Sequence, residues 1–247
     1  MQLAGKKVFI TGGTAGIGLA LAEQLLAQGC QVLVCGRDQQ VLDKLAERSG
    51  LHAYHCDLGC PTQTAQLAGR LMQEHPDLAA IFNNAGVQHD FQLAQGPADQ
   101  VVALADKETR INFLAPVQLN ALLMGTLIAQ PAALIVNITS PLALAPKKSS
   151  PLYGASKAAL RSYTKSLRYQ LAESHPHIRV VEVQPPLVDT RMAQGRRVGK
   201  ISPEQAATAM LRAIARGQSD IYVGKAQLMR AMYRWLPGLT EKIASTW

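Results

Sequence analysis

Residues 149–160 read SSPLYGASKAAL, which sets Tyr153 four positions before Lys157. Four positions are about one turn of helix, so a helix here would stack the two side chains on one face. A phenol titrates at about pH 10, and an ammonium beside it favours the phenolate and brings the group toward working pH. Such a pair can give a proton to a carbonyl under reduction or take one from an alcohol under oxidation. Ser150 and Pro151 supply the helix start, a serine to cap it and a proline whose missing N–H would have had no partner anyway. Ser140 follows the apolar run ALIVNIT (133–139), where its hydroxyl could hold the reacting oxygen as its charge changes. Taken singly, each has a plainer account: a half-buried helix stripe for Tyr153 and Lys157, a strand-end cap for Ser140.

Short β-branched runs that alternate with longer helical patterns would position these groups. Strands are expected at 6–11, 31–35, 51–56, 79–83, 133–139, 178–184 and 220–224, with helical segments such as 16–28, 39–48 and 62–74 between them. This alternation predicts an α/β fold, a doubly wound parallel sheet covered on both faces. Ligands of such sheets sit beyond the carboxyl ends of the strands. The first strand runs into TGGTAGIG (11–18), where Gly12, Gly16 and Gly18 permit a tight turn, a close approach of backbone to phosphate and close packing of the next helix. The spacing, Gly-x3-Gly-x-Gly, differs from the Gly-x-Gly-x-x-Gly dinucleotide fingerprint. A glycine-rich connection is the bland alternative.

Six motifs occur in order: TGGTAGIG, CDL (56–58), NNAG (83–86), Asn112 in RINFLAPVQL, Ser140 in IVNITS, and YGASK (153–157). In this the chain resembles the compact single-domain short-chain dehydrogenases/reductases, over most of its length. The resemblance implies a Rossmann-like, seven-stranded, mostly parallel sheet and a nicotinamide cofactor. It implies a catalytic set of Asn112, Ser140, Tyr153 and Lys157, in which Lys157 also binds the nicotinamide ribose and Asn112 holds a water of the proton relay. Alone, Asn112 would pass for a polar helix residue. The implied cofactor set is Gly12, Thr14, Gly16, Ile17 and Gly18 in the glycine loop, Asp57 with Leu58 at the adenine, and Asn83, Ala85 and Gly86 as the wall beside the cofactor. Tyr153 and Lys157 join it, with Val188 and Thr190 closing over the carboxamide. PPLVDT (185–190) departs from the usual Pro-Gly form of that loop.

The second strand ends Cys35-Gly36-Arg37, with no carboxylate before Asp38 to accept from a ribose 2′-hydroxyl. Arg37 can fork onto a 2′-phosphate, so NADP(H) is expected over NAD(H), which stays possible; a surface arginine at a helix start is the plain alternative. Ala15 lacks the basic side chain of many NADP-linked relatives. The expected function is an NADP(H)-preferring oxidoreductase that interconverts a small-molecule carbonyl and a secondary alcohol, with Tyr153 as general acid/base. A cofactor-binding regulatory protein of the same fold with little turnover is the alternative. Leu142, Leu144, Leu187 and Met192 suggest a hydrophobic carrier for the reacting group, while Lys147, Lys148 and Arg191 leave room for an acidic one.

The chain has 247 residues, 48% hydrophobic and 17% charged, enough for one domain over 1–247 with 225–247 as a C-terminal tail. A formal charge of +8 with 5% aromatics, not interleaved with the basic residues, does not suit nucleic acid. Basic residues gather at Arg191, Arg196, Arg197 and Lys200 and in the tail. Four cysteines are too few for a disulfide framework, and the strand-like start leaves no room for a signal peptide. No run of about 18 apolar residues is evident, so a cytoplasmic protein is expected. His52, His55, Cys56 and Cys60 could be taken for zinc ligands, but neighbours on a strand point to opposite faces, and no metal is expected. In the tail, Leu228, Met232, Trp235 and Leu236 recur at helical spacing, and Pro237-Gly238 would end the run. That stripe must be covered by the domain itself, a neighbouring subunit or a membrane. A short helix with a single stripe binds lipid weakly, so membrane association is not expected; the resemblance implies a homodimer or homotetramer, built partly from the helices beginning near Asp99 and Ser150, with the tail adding contact.

Overall fold

The computed structural model describes residues 2–193 and 199–246, so Arg196, Arg197 and Trp247 fall outside the described residues. Seven strands form one sheet: β1 (Lys7–Thr11), β2 (Gln31–Gly36), β3 (Leu51–His55), β4 (Leu78–Asn83), β5 (Ala133–Ile138), β6 (Ile178–Gln184) and β7 (Asp220–Tyr222). Their order is β3-β2-β1-β4-β5-β6-β7, and every pairing is parallel. The chain winds outward from β1 to β3, then returns to β4 on the other side of β1. That reversal opens a crevice above β1 and β4, where ligands of doubly wound sheets bind.

The helices among the described residues are α1 (Gly16–Ala27), α2 (Gln39–Ala46), α3 (Pro61–Glu74), α4 (Ala98–Thr109), α5 (Ala115–Ile128), α6 (Pro151–Ser174), α7 (Pro203–Ala215), α8 (Lys225–Trp235) and α9 (Pro237–Ser245). β4 and β5 are buried at all six positions each, which is why they read as unbroken apolar runs. Along β1, Val8 and Ile10 face one core with Leu21 and Leu25 of α1 and Met210 and Ile214 of α7. Phe9 faces the other, with Leu67 and Leu71 of α3, Leu119 and Leu123 of α5 and Leu167 of α6. The two-residue period of the strand thus divides one sheet between two hydrophobic layers.

Residues Ala98–Ile128 form one continuous helix, long and apolar enough by length and composition to cross a membrane. Leu119, Leu123 and Leu127 are fully buried along its inner face, so here that composition serves the second core. His52 and His55 stay exposed on β3, whereas Cys56 is buried, and among the described residues no three potential metal ligands converge.

One local expectation is corrected. Ser150 does precede α6, but its side chain makes no capping bond; its Oγ instead accepts from Gln88 Nε2 at 2.9 Å. The tail's first helical run does stop ahead of Pro237, with α8 ending at Trp235; the proline then occupies the first turn of α9, where its fixed φ suits a helix start. The stripe of Leu228, Trp235 and Leu236 is left exposed, and the tail is anchored by Met229 and Ala244 against Ala145.

Candidate active site

The loop from β1 into α1 is built around glycines that nothing larger could replace. Gly12 has φ 65° and Gly16 φ 54°, the left-handed region that side chains avoid. A Cβ on Gly18 would run into the carbonyl oxygen of Gly12, and one on Gly36 would lie 2.5 Å from the methyl of Thr14. Thr11 ties this loop to the segment after β4: its Oγ1 accepts from the N–H groups of Asn84 (2.9 Å) and Ala85 (3.0 Å). Asn84 returns two bonds from Nδ2, to the carbonyls of Thr11 (2.8 Å) and Gly12 (3.3 Å). Between these walls opens a cavity of about 710 Å³, lined by the glycine loop, Arg37, Asp57, Leu58 and residues 84–87. Ala15 stands at the N-cap of α1 with no capping side chain, and the first turn carries no acidic residue. The unpaired N–H groups of a helix start favour an anion, so this cradle fits a diphosphate.

At the inner end of the cavity stand Tyr153 and Lys157 on α6, both buried. Lys157 Nζ lies 5.9 Å from the centroid of the Tyr153 ring and donates to the carbonyl of Ile138 at 2.8 Å. Burial pushes its pKa down to about 8, because desolvation disfavours the ammonium. A Cβ on Gly86 would lie 3.4 Å from Lys157 Nζ and 3.3 Å from Asn112 Oδ1, so the glycine makes room for both. Asn112 sits in a widened π-helical turn, Arg110–Leu114, between α4 and α5, a distortion common at functional sites. Its Oδ1 accepts from Val87 N–H at 2.8 Å; its Nδ2 donates to Val87 C=O at 2.9 Å and to Ser156 Oγ at 3.0 Å. With the side chain so engaged, a water held by this residue would meet its backbone.

Tyr153 also borders a second, smaller cavity of about 150 Å³ with Ser140, Pro141, Leu142, Pro186 and Leu187. Ser140 Oγ accepts from Leu142 N–H at 3.2 Å, which leaves its own O–H to donate. The loop after β6 reads PPLVDT and contains no glycine. No described non-glycine residue has positive φ, and Val188 pairs in parallel with Ile201, with bonds from Asp189 N–H to Ile201 C=O and from Ile201 N–H to Leu187 C=O.

The family model for short chain dehydrogenase matches residues 6–200. The chain belongs to the short-chain dehydrogenase/reductase family. The uncharacterized oxidoreductase DltE of Bacillus subtilis (strain 168) is 37% identical over 228 residues, which cover 90% of this chain and 89% of the relative. A short chain dehydrogenase from Burkholderia cenocepacia J2315, solved in complex with NADP, superposes with a TM-score of 0.87 at 25% identity over the whole of both chains. One from Burkholderia phymatum, solved with NAD, shares the fold at a TM-score of 0.84 and 22% identity, over 95% of this chain and 94% of its own. The protein is therefore an NAD(P)-dependent oxidoreductase.

Within this dehydrogenase/reductase frame, Tyr153, Lys157, Ala85, Gly86 and Thr190 do meet around the larger cavity, with Gly12, Thr14, Gly16, Ile17, Gly18, Arg37, Asp57 and Leu58. Asn83 does not reach it. As the last residue of β4 it turns beneath the floor, where Nδ2 donates to Asn120 Oδ1 (3.0 Å) and Asn137 Oδ1 (2.7 Å); Asn84 takes the wall position. Val188 lines only the smaller cavity. Asp57 spends Oδ1 on Gly59 N–H at 2.9 Å, so it forms a turn and borders the cavity at once. Among the expected pocket residues, Leu142, Leu187 and Met192 line the smaller cavity and Leu144 does not. Lys147 is paired with Asp90 at 3.0 Å. Thr11, Gly36, Thr139 and Gln88 were not singled out as site residues. Thr11 and Gly36 were signalled only by standing at the ends of β1 and β2, where such sheets bind ligands.

Proposed function

We propose that this enzyme interconverts a carbonyl and a secondary alcohol on an apolar carrier, with NADP(H) preferred to NAD(H) and Tyr153 as the general acid/base. The position of Tyr153 carries the reading: it borders both cavities, with buried Lys157 behind it. A nicotinamide cofactor in the larger cavity would supply or accept the hydride. The residues fit such a group. Gly12, Thr14, Gly16, Ile17 and Gly18 would hold the diphosphate, Asp57 and Leu58 the adenine, and Arg37 a 2′-phosphate. Ala85 and Gly86 would wall the ring, Lys157 and Tyr153 would meet the ribose, and Thr190 the carboxamide.

In reduction, Ser140 donates a hydrogen bond to the carbonyl oxygen and Tyr153 gives that oxygen its proton; in oxidation both act in reverse. Lys157, kept as an ammonium, stabilises the phenolate left on Tyr153. Asn112 fixes the 87 segment beside them and would hold the water that refills the proton at its backbone. The neighbouring cavity is lined mainly by apolar residues, with no acidic or basic side chain among them, which suits an aliphatic rather than a strongly charged substrate.

Residues 1–247 form one domain in this reading, located in the cytoplasm, and copies associate through the outer faces of α4 and α6, where Val102 and Tyr169 are exposed. Tyr153→Phe keeps the ring and removes the proton, so turnover of NADPH with a panel of carbonyls should fall about 10²- to 10⁴-fold, while cofactor binding, read by nicotinamide fluorescence, persists. Near-normal turnover would refute the role of Tyr153. Cofactor binding with no turnover by the wild type on any carbonyl would favour a regulatory protein.

A further inference from the structure

Five of the thirteen exposed large apolar side chains among the described residues lie in the C-terminal pair of helices: Leu228, Trp235, Leu236, Leu239 and Ile243. Trp235 is 76% exposed and Leu228 63%. The helices bury a different flank, formed by Ala226 and Met229 of α8 and Thr240 and Ala244 of α9. On α8, Leu228, Met232 and Trp235 follow one another at spacings of four and three, which sets them on one side of the helix. Leu239 and Ile243 do the same on α9, and the two flanks meet at Trp235 and Leu236. A lone short helix with one stripe would hold lipid weakly; Pro237 begins a second helix that extends the apolar surface.

Charge selects what this surface meets. Residues 225–247 carry Lys225, Arg230, Arg234 and Lys242 against Glu241 alone. Arg230, Arg234 and Lys242 are exposed, and the whole chain has a formal charge of +8. A second copy joined across a twofold axis would bring the same basic side chains against themselves. An anionic bilayer surface complements them, and a tryptophan with leucines between basic residues is the composition of a helix lying in the headgroup layer.

We propose that α8 and α9 dock this enzyme onto the surface of an anionic bilayer. The same helices pack against the segment that lines the smaller cavity: Met229 touches Ala145, and α8 adjoins Pro141–Ala143. Docking therefore sets that cavity close to the lipid, so the reacting group would come from an amphiphile dissolved there; this last step rests on the function proposed above.

Both tryptophans of the chain, Trp235 and Trp247, fall in this segment, so tryptophan emission reports on it alone. Full-length protein is titrated with phosphatidylcholine vesicles containing none or about a third phosphatidylglycerol, with co-sedimentation and tryptophan emission as readouts. Binding with a blue shift on the anionic vesicles is expected, at least about tenfold weaker on the neutral ones and in high salt. The double variant Leu228→Asn/Leu239→Asn changes only exposed side chains. It should lose binding by about tenfold or more while its reduction of a water-soluble carbonyl and its mass by sedimentation equilibrium stay those of wild type. Absence of binding to either vesicle, or equal binding by the variant, would overturn the docking surface. A variant of lower oligomeric mass than wild type would overturn it in favour of a second copy. None of these binding readouts depends on Tyr153 or on the carbonyl chemistry.

Discussion

Lys157 is buried on α6, where its Nζ donates to the carbonyl of Ile138. Its pKa is lowered from the ordinary lysine value to about 8 by burial. The ammonium is therefore present below about pH 8 and lost as pH rises through it. Cofactor affinity measured from pH 7 to 9 should weaken with rising pH in the wild type and stay flat in Lys157→Ala; the same slope in both would deny the lysine this part. Arg37 stands exposed at the rim of the cavity, while the nearest carboxylate, Asp38, caps α2 by accepting from Val41 N–H at 3.2 Å. Loss of charge-assisted bonds to a phosphate costs about 1.5–3 kcal/mol. Arg37→Ala should thus raise the Michaelis constant for NADPH by about 10- to 100-fold and leave that for NADH nearly unchanged. An unaltered preference would clear Arg37. Both residues were legible as types at positions; the orientation of Asn83 was not, because whether a strand-end side chain turns up to the ligand or down to a buried amide network depends on Asn120 and Asn137, from two distant elements.

At the scale of elements, the β1–α1 turn works through what it lacks. Gly18 lies so close to the Gly12 carbonyl and to Asn84 Nδ2 that a methyl group must displace one of them. Gly18→Ala should cost about 1–3 kcal/mol of stability, as overpacking does, and should weaken cofactor binding more than carbonyl binding, because the displaced atoms belong to the phosphate cradle. Thermal unfolding with and without cofactor reads both effects; a variant stabilised by cofactor as much as wild type would contradict it. The π-helical turn at Arg110–Leu114 was not expected from the sequence: it lies inside one continuous helix, Ala98–Ile128, and no glycine or proline within RINFL marks it. Its consequence is functional: it aims Asn112 back at Val87.

For the whole molecule, the contact between copies proposed above would use the outer faces of α4 and α6, where Val102 and Tyr169 are exposed. Val102→Asp should lower the mass found by sedimentation equilibrium, and an unchanged mass would exclude that face. The sequence alone determined the centre of the sheet, because β1, β2, β4, β5 and β6 are mainly apolar runs buried on both faces and bounded by turn formers, whereas the edge strand β3 keeps His52 and His55 exposed. It also determined the pairing of Tyr153 with Lys157, since helical spacing is a local property. What only the tertiary structure decided was where separate elements meet. The tail's apolar stripe could have lain on the domain, on a second copy or on lipid, and periodicity records that a face is apolar without recording what covers it. Burial of Met229 and Ala244 against Ala145 turned the opposite flank outward. The junction of two cavities at Tyr153 was likewise set by packing among β5, α6 and the loop after β6, whose residues are neighbours only once the sheet has formed.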